Sequence, residues 1–286
     1  MTTTSLPEKQ TTTMTATAPE LPTSRRKPRK LSRLISGRRI AILAIQAALL
    51  AALLGLWELA VNKGWANVVF YSKPSLIWEQ LHTYLTGSEI MLDSRTTITE
   101  TLLGFGLGVV IGVPLGLLLG RYSFFRSVVA PFFTAFNAMP RVALAPMFIL
   151  WFGIGMSSKV YLIASIVFFL VMVATESGIR TIDPDFVMMG RAIGSSERDM
   201  FLKIILPGSI PAIFSGLRLG AVFALLGAVF AEMLAAESGW GRKIAMDSQS
   251  FQPGAVFAVL VVVMVFGLLL DGFMSAIERR LMRWQQ

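Results

Sequence analysis

The chain has 286 residues, 54% of them hydrophobic and only 15% charged, with a mean hydropathy of +0.65. Soluble domains carry about 25% charged residues, so this composition excludes an ordinary soluble domain and predicts an all-α, polytopic membrane protein. Cysteine is absent and His82 is the single histidine, which excludes disulfides, thiolate chemistry and a histidine-pair metal site. The net charge of +9 does not point to nucleic acid, because much of it gathers just before the first apolar run, the pattern of a cytoplasmic membrane flank.

Residues 1–39 read as a basic N-terminal segment. Its first part, 1–24, is Thr-rich without an apolar period and is predicted to be disordered; Arg25, Arg26, Lys27, Arg29, Lys30, Arg33, Arg38 and Arg39 follow. The apolar run 40–61 exceeds the roughly 7–15 residues of a signal-peptide core, so it is predicted as a retained first transmembrane helix. Segment 62–96 is predicted to be extracytoplasmic. Within it Ser72-Lys73-Pro74 opens a surface helix with Ile77, Leu81, Tyr84 and Leu85 on one face. A five-helix core over 97–276 follows, with spans at 97–119, 128–150, 158–176, 209–232 and 255–276, each near the ~20 residues a bilayer needs. Residues 277–286 form a tail. Lysine and arginine concentrate in 1–39, 120–127, 177–208 and 277–286, so the positive-inside rule predicts six spans with both termini cytoplasmic. Trp57, Trp65, Trp78, Trp151 and Trp240 fall near predicted membrane interfaces, and His82 reads as a solvated side chain.

The polar stretch 183–207 is patterned as two short helices joined at a glycine. Asp183-Pro184 is a helix start, with a capping carboxylate before a proline that needs no amide partner. Phe186, Met189, Ala192 and Ile193 recur at helical spacing, and Gly194 ends the piece. Ser196 with Asp199 predicts a capping box for a second piece, in which Met200, Phe201, Ile204 and Ile205 share a face and which Pro207 and Pro211 stop. Met188, Met189 and Met200 are adaptable apolar surface suited to a partner's groove. Such an elbow at the cytoplasmic surface is a docking element.

Glycines 104, 108, 112, 116 and 120 recur at every fourth residue, with Pro114 among them; Gly216 and Gly220 are a shorter version. This is a smooth stripe for close helix approach, either as packing within the subunit or as a sliding surface. Ionisable residues inside spans are costly and face protein or a water-filled path. Glu58, Glu100, Arg141, Arg218, Glu232 and Asp271 are of this kind. Two readings stay open for them: ion pairs, Arg141–Glu232 or Arg218–Asp271, or a polar path for a small anion. The path candidates are Asn137, Arg141, Arg218 and Glu232, with Thr97 and Ser165 as further polar residues that either line it or bond to neighbouring backbone.

Gly194, nine residues, Ile204, one residue and Leu206-Pro207 resemble the EAA loop in membrane-spanning subunits of ATP-binding cassette importers. Gly104-Phe105, Gly112-Val113-Pro114-Leu115-Gly116, Met139-Pro140-Arg141, Ala145-Pro146 and Trp151-Phe152-Gly153-Ile154-Gly155 narrow the resemblance to the nitrate/sulfonate/taurine permease group. The likeness covers about 70–275. One departure is Met188, where the motif's opening glutamate is usual, followed by Met189 and Gly190 in place of two alanines. The resemblance implies coupling to a separate ATPase through Met188, Met189, Gly190, Arg191, Ala192, Gly194, Ser195, Ser196, Glu197, Ile204, Leu206 and Pro207. It also implies a second permease subunit, two cytoplasmic ATPase subunits that bind ATP and Mg, an extracytoplasmic solute-binding protein, and a bacterial inner-membrane location. No catalytic, cofactor-binding or metal-ligating residues are expected in this chain, since the sequence has no G-x-x-x-x-G-K-[ST] phosphate loop, G-x-S-x-G or H-E-x-x-H. An ion-gradient-driven secondary transporter and a non-transporting scaffold are the alternatives; the first is disfavoured because no internal duplication is visible.

Overall fold

The computed structural model describes residues 31–282, with side chains from Ile40 onward. The predicted disordered segment 1–24, the basic residues before position 31 and the last four residues lie outside the described residues. Among these every regular element is helical. The chain divides into two units, residues 1–53 and 54–286. The described part of the first is a helical stretch that begins α1 (Leu31–Asn62). The second unit contains all that follows.

In the second unit α2 (Val68–Tyr71) and α3 (Pro74–Thr86) precede α4 (Glu89–Arg121). Lys73-Pro74 starts α3 as the sequence predicts, and Leu81 and Tyr84 are buried while Leu85 stays exposed. Glu58, near the end of α1, accepts from the Ser75 amide (3.1 Å) and hydroxyl (2.9 Å), so it caps α3. After α5 (Ser123–Ala138), a 3-10 turn (Arg141–Leu144) leads into α6 (Ala145–Phe152). Then come α7 (Met156–Arg180), α8 (Pro184–Ala192), α9 (Glu197–Met200), α10 (Leu206–Leu234), α11 (Trp240–Gln249) and α12 (Pro253–Leu281).

Five of the described helices are long and apolar enough to cross a membrane, and the bent pair Ser123–Ala138 and Arg141–Phe152 makes six if it is one span. The expected span 128–150 is broken within: its halves meet at 80°. Proline chemistry explains the break. Pro140 cannot donate to the α5 ladder, Met139 before it is pushed to extended backbone (φ −75°, ψ 131°), and Pro146 suits the first turn of a new helix. A second correction concerns Pro207, which does not stop the chain there. The helical path runs unbroken over Glu197–Leu234. Phe201–Ile205 forms a π turn in which the Leu206 amide reaches the Phe201 carbonyl, and this wider turn absorbs the amide missing at Pro207.

α7 is the centre of the bundle, with α4 against one side and α10 against another. The α4 glycine stripe makes this possible. A Cβ on Gly104, Gly108, Gly112, Gly116 or Gly120 would fall 2.5–2.8 Å from Ile163, Val167, Phe168, Met172 or Ile179. Gly216 likewise backs onto Ala174, and Gly220 onto Val171. The stripe is thus packing inside one subunit. Around it Ile163, Val167, Val171, Ala224 and Ala228 form a dry core, with Phe105 and Leu217 packed against it. A second core joins Tyr84, Leu225, Val229, Trp240, Ile244, Val259 and Val263. Trp240 is therefore no interfacial aromatic: it is 2% exposed, edge-on to Phe266, and donates to Ser94 Oγ.

Candidate functional site

The elbow is built by local sequence. Asp183 caps α8 by accepting from the Asp185 amide at 2.9 Å. Gly194 ends it with φ +76°, a left-handed conformation that suits glycine. The Ser195 amide bonds to Gly190 O and the Gly194 amide to Arg191 O, both at 3.0 Å, which closes a Schellman turn. Ser196 then caps α9 through the Asp199 amide (3.1 Å).

Within this frame Gly190 is buried, and a Cβ there would sit 3.0 Å from Ile204 Cδ1, so the glycine lets α8 lie close to the π turn. Met200 is buried beneath it at 2% exposure, which corrects its expected place on the docking surface. Phe201, Ile204 and Ile205 share this half-buried inward face. The surface that remains consists of Phe186, Met188, Met189, Ala192 and Ile193, the last 77% exposed. Leu206 and Pro207 are half-buried at the root of α10, while Ser196 and Glu197 are exposed. The Glu197 carboxylate lies 3.7 Å from Arg191 and 3.2 Å from Arg121. The Arg121 guanidinium also stands 5.1 Å from the Phe201 ring centre, tying the elbow to the end of α4.

The path candidates separate into three places. Asn137 and Arg141 come together at the break after α5, where Arg141 Nη2 donates to Asn137 Oδ1 at 2.8 Å and the guanidinium lies 4.0 Å above the Phe169 ring. Arg141 Nε is buried without a partner. Beside them a cavity of about 380 Å³ between α5 and α7 is lined by Arg126, Thr134, Asn137, Phe169, Glu176 and Arg180. Arg218 instead grips Asp271 on α12 with Nε and Nη2, the second at 2.8 Å, so that predicted ion pair forms.

The alternative pair, Arg141–Glu232, does not form. Glu232 lies far along α10, accepting from Thr97 Oγ1 and the Gly241 amide, both at 2.7 Å. Arg141 sits at mid-bundle against Phe169, so the two are at different depths. Thr97 is thus committed to Glu232 and the Trp240 amide, and Ser165 bonds back to Leu162 O.

Sequence reasoning missed a further charged pair. Lys159, at the head of the predicted span 158–176, is 5% exposed and donates to Glu100 Oε1 at 2.5 Å, with Glu100 1% exposed. Position 159 at the head of an apolar run was the available signal; its partner is distant in sequence. Tyr84 was expected only as apolar surface. It donates to Asp93 Oδ2 at 2.9 Å, and burial first, then that hydrogen bond, push its phenol above the ordinary range.

The pattern of the family described as "Binding-protein-dependent transport system inner membrane component" matches residues 109–283. A probable ABC transporter permease protein of Brucella abortus is 30% identical over 248 residues, 87% of this chain and 98% of its own length. A Bacillus subtilis protein named "Putative aliphatic sulfonates transport permease protein SsuC" is 32% identical, covering 82% of this chain and 85% of that one. The taurine transport system permease protein TauC of Escherichia coli is 27% identical over 82% of this chain and 87% of its own. Among solved structures, an inward-facing MetNI methionine ABC transporter chain shares the fold with a TM-score of 0.61 at 18% identity, over 68% of this chain and 96% of that one.

Proposed function

Because the chain belongs to the binding-protein-dependent transport system inner membrane component family, we propose that it is the membrane-spanning subunit of an ATP-dependent importer in a bacterial inner membrane. The observation that carries this reading is the elbow. Its exposed Phe186, Met188, Met189 and Ile193 form an apolar surface on a short, doubly capped helix, and that helix leads through the π turn directly into α10. A separate ATPase, which holds ATP and Mg, grips this surface. When it closes on nucleotide it moves the elbow, and α10 carries the displacement along α7 to the far side of the membrane. Coupling of this kind requires that the elbow bind the two ATPase states with different affinity.

Two copies of the chain enclose the path, with α5 facing the partner. The support is that α5 has no buried residue and leaves Phe124, Val128, Phe132 and Phe136 exposed beside the polar Asn137 and Arg141. The path takes a small anion of the sulfonate type, delivered by an extracytoplasmic binding protein, and Arg141 at the helix break is its cationic contact. Both termini and the elbow are cytoplasmic.

The test is uptake into proteoliposomes that contain this chain, its ATPase and its binding protein. ATP-dependent uptake of a small sulfonate is expected; accumulation driven by an ion gradient alone would establish a secondary transporter instead. Gly194→Val forces a β-branched residue into a left-handed conformation at a cost of about 1–2 kcal/mol. It is expected to abolish uptake and transport-linked ATP hydrolysis while membrane insertion continues. Normal coupled uptake by that variant would contradict the docking role.

A further inference from the structure

At the end of the bundle opposite the elbow, two acids from different helices are buried side by side. Arg121 touches the elbow, and Glu100 lies 21 residues earlier on α4, about 32 Å away at ~1.5 Å per residue. Glu100 and Glu232 of α10 are each 1% exposed, and the Glu232 carboxyl is within hydrogen-bonding reach of the Glu100 carboxyl. Glycine backbone covers the second acid. A Cβ on Gly239 would fall 2.4 Å from Glu232 Cδ, and one on Gly241 would fall 2.7 Å from Glu232 Cβ.

Lys159 of α7 donates to Glu100 Oε1, while Glu232 accepts from Thr97 Oγ1 and the Gly241 amide. Glu100 Oε2 is buried and receives no N–H or hydroxyl donor from the described residues. The neighbouring charges are committed elsewhere. Asp93 accepts from Tyr84 and the Gly239 amide, and Lys243 of α11 is paired with Asp247. Glu237 is exposed on the wall of a cavity of about 230 Å³ that Glu100 and Lys159 also line. Among the described residues, Lys159 is thus the cation that serves both acids. Ionised together, the two acids and the lysine would hold a net negative charge away from water, which burial penalises. Two carboxylates are also acceptors only and cannot bond to one another. One added proton supplies the bond and makes the trio neutral.

We propose that Glu100 and Glu232 share one bound proton, and that this proton latches α4 to α10 at the end of the bundle opposite the elbow. When the proton leaves, to solvent through the cavity, two carboxylates stand together with one ammonium for both, and their repulsion loosens the contact. The closed form holds the proton and the open form does not, so this end opens more readily as the pH rises. In the importer reading it is the outer mouth, and the latch answers to the extracytoplasmic pH. Only that sidedness rests on the importer reading.

The experiment compares the full chain in lipid nanodiscs with its Glu100→Gln and Glu232→Gln variants. In either variant an amide N–H donates where the shared proton does, and one carboxylate remains for Lys159. Infrared spectra of the wild type at about pH 6 are expected to show the carbonyl stretch of a protonated carboxyl that each single variant lacks and that disappears by about pH 10. Amide hydrogen exchange over 235–241, taken as the ratio of wild type to E100Q, is expected to rise between about pH 6 and about pH 9, by up to about tenfold per pH unit for one proton released. A wild-type spectrum without this band, or an exchange ratio flat in pH, would overturn the proposal. So would a band that survives in E100Q, since Glu232 would then hold its proton alone. If neither variant assembles, the wild-type band decides, and a band unchanged up to about pH 10 sinks the latch. Neither measurement needs transport, so failure of the importer reading is seen separately, as absent ATP-dependent uptake.

Discussion

Lys159 and Glu100 meet inside the bundle with their side chains almost fully buried, and the consequence is easiest to see by removing one partner. Breaking a buried pair from one side costs about 3–5 kcal/mol, because the surviving charge stays buried, whereas replacing both with apolar groups is often neutral. Lys159→Met is therefore expected to lower the thermal unfolding midpoint in detergent sharply. The double variant with Glu100→Met should recover most of the loss. A double variant as unstable as the single one would mean that the lysine is held by something other than this glutamate. Arg141 is a different case. Its contacts, an amide oxygen and an aromatic face, leave the positive charge without a carboxylate, which is what the proposed role in an anion path requires.

At the scale of elements, the α4–α7 contact shows how glycine spacing becomes architecture. Residues four apart nearly share a helix face, so five glycines in this register present bare backbone along the whole contact. A Cβ at Gly108 would lie 2.7 Å from Val167 Cβ and 3.0 Å from Ala164 O, whereas Gly106, on another face of the same helix, meets nothing within 4 Å. Gly108→Ala is thus expected to destabilise the bundle by about 1–3 kcal/mol through overpacking. Gly106→Ala should be neutral or gain up to about 1 kcal/mol of helix propensity. Thermal unfolding of the two single variants side by side distinguishes a face-specific contact from a general intolerance of side chains. A similar loss from both would argue against the stripe. The elbow is the complementary element: its caps and Schellman turn are satisfied locally, so its shape is set before anything docks on it.

At the scale of the molecule, the two ends of the bundle differ in kind. One end carries an apolar elbow pinned to α4 by Arg121 and Glu197; the other is knitted by buried polar bonds among Asp93, Thr97, Glu232, Gly239 and Trp240. Such a division suits a machine driven from one side and gated at the other. The exposed face of α5 is the remaining large unpartnered surface beside the path candidates. Because the chain lacks cysteine, Phe132→Cys introduces a unique thiol there. Oxidation of the assembled complex is expected to link two copies through it, while Leu268→Cys on apolar α12 serves as the lipid-facing control. Failure of Phe132→Cys to crosslink in a transport-competent complex would place the partner subunit elsewhere.

The features that depend on neighbours in sequence were legible without coordinates. The apolar runs predicted the spans, Asp183 and Ser196 the caps, Gly194 the turn, and the four-residue glycine period a close helix contact, because each is decided within a few residues by backbone geometry and solvent. What only the tertiary structure decided were pairings between distant residues: Lys159 with Glu100, Glu232 with Thr97 and Gly241, Glu197 with Arg121, and Trp240 drawn from an expected interface into a core. From sequence Arg218 could be matched to Asp271 or left on the path, and the same held for Arg141 and Glu232. Depth along the helices separated them. The 80° break at Pro140 and the continuous run through Pro207 also needed the fold, since one proline ends a helix while another is accommodated by a wider turn, and packing around the backbone selects between the two outcomes.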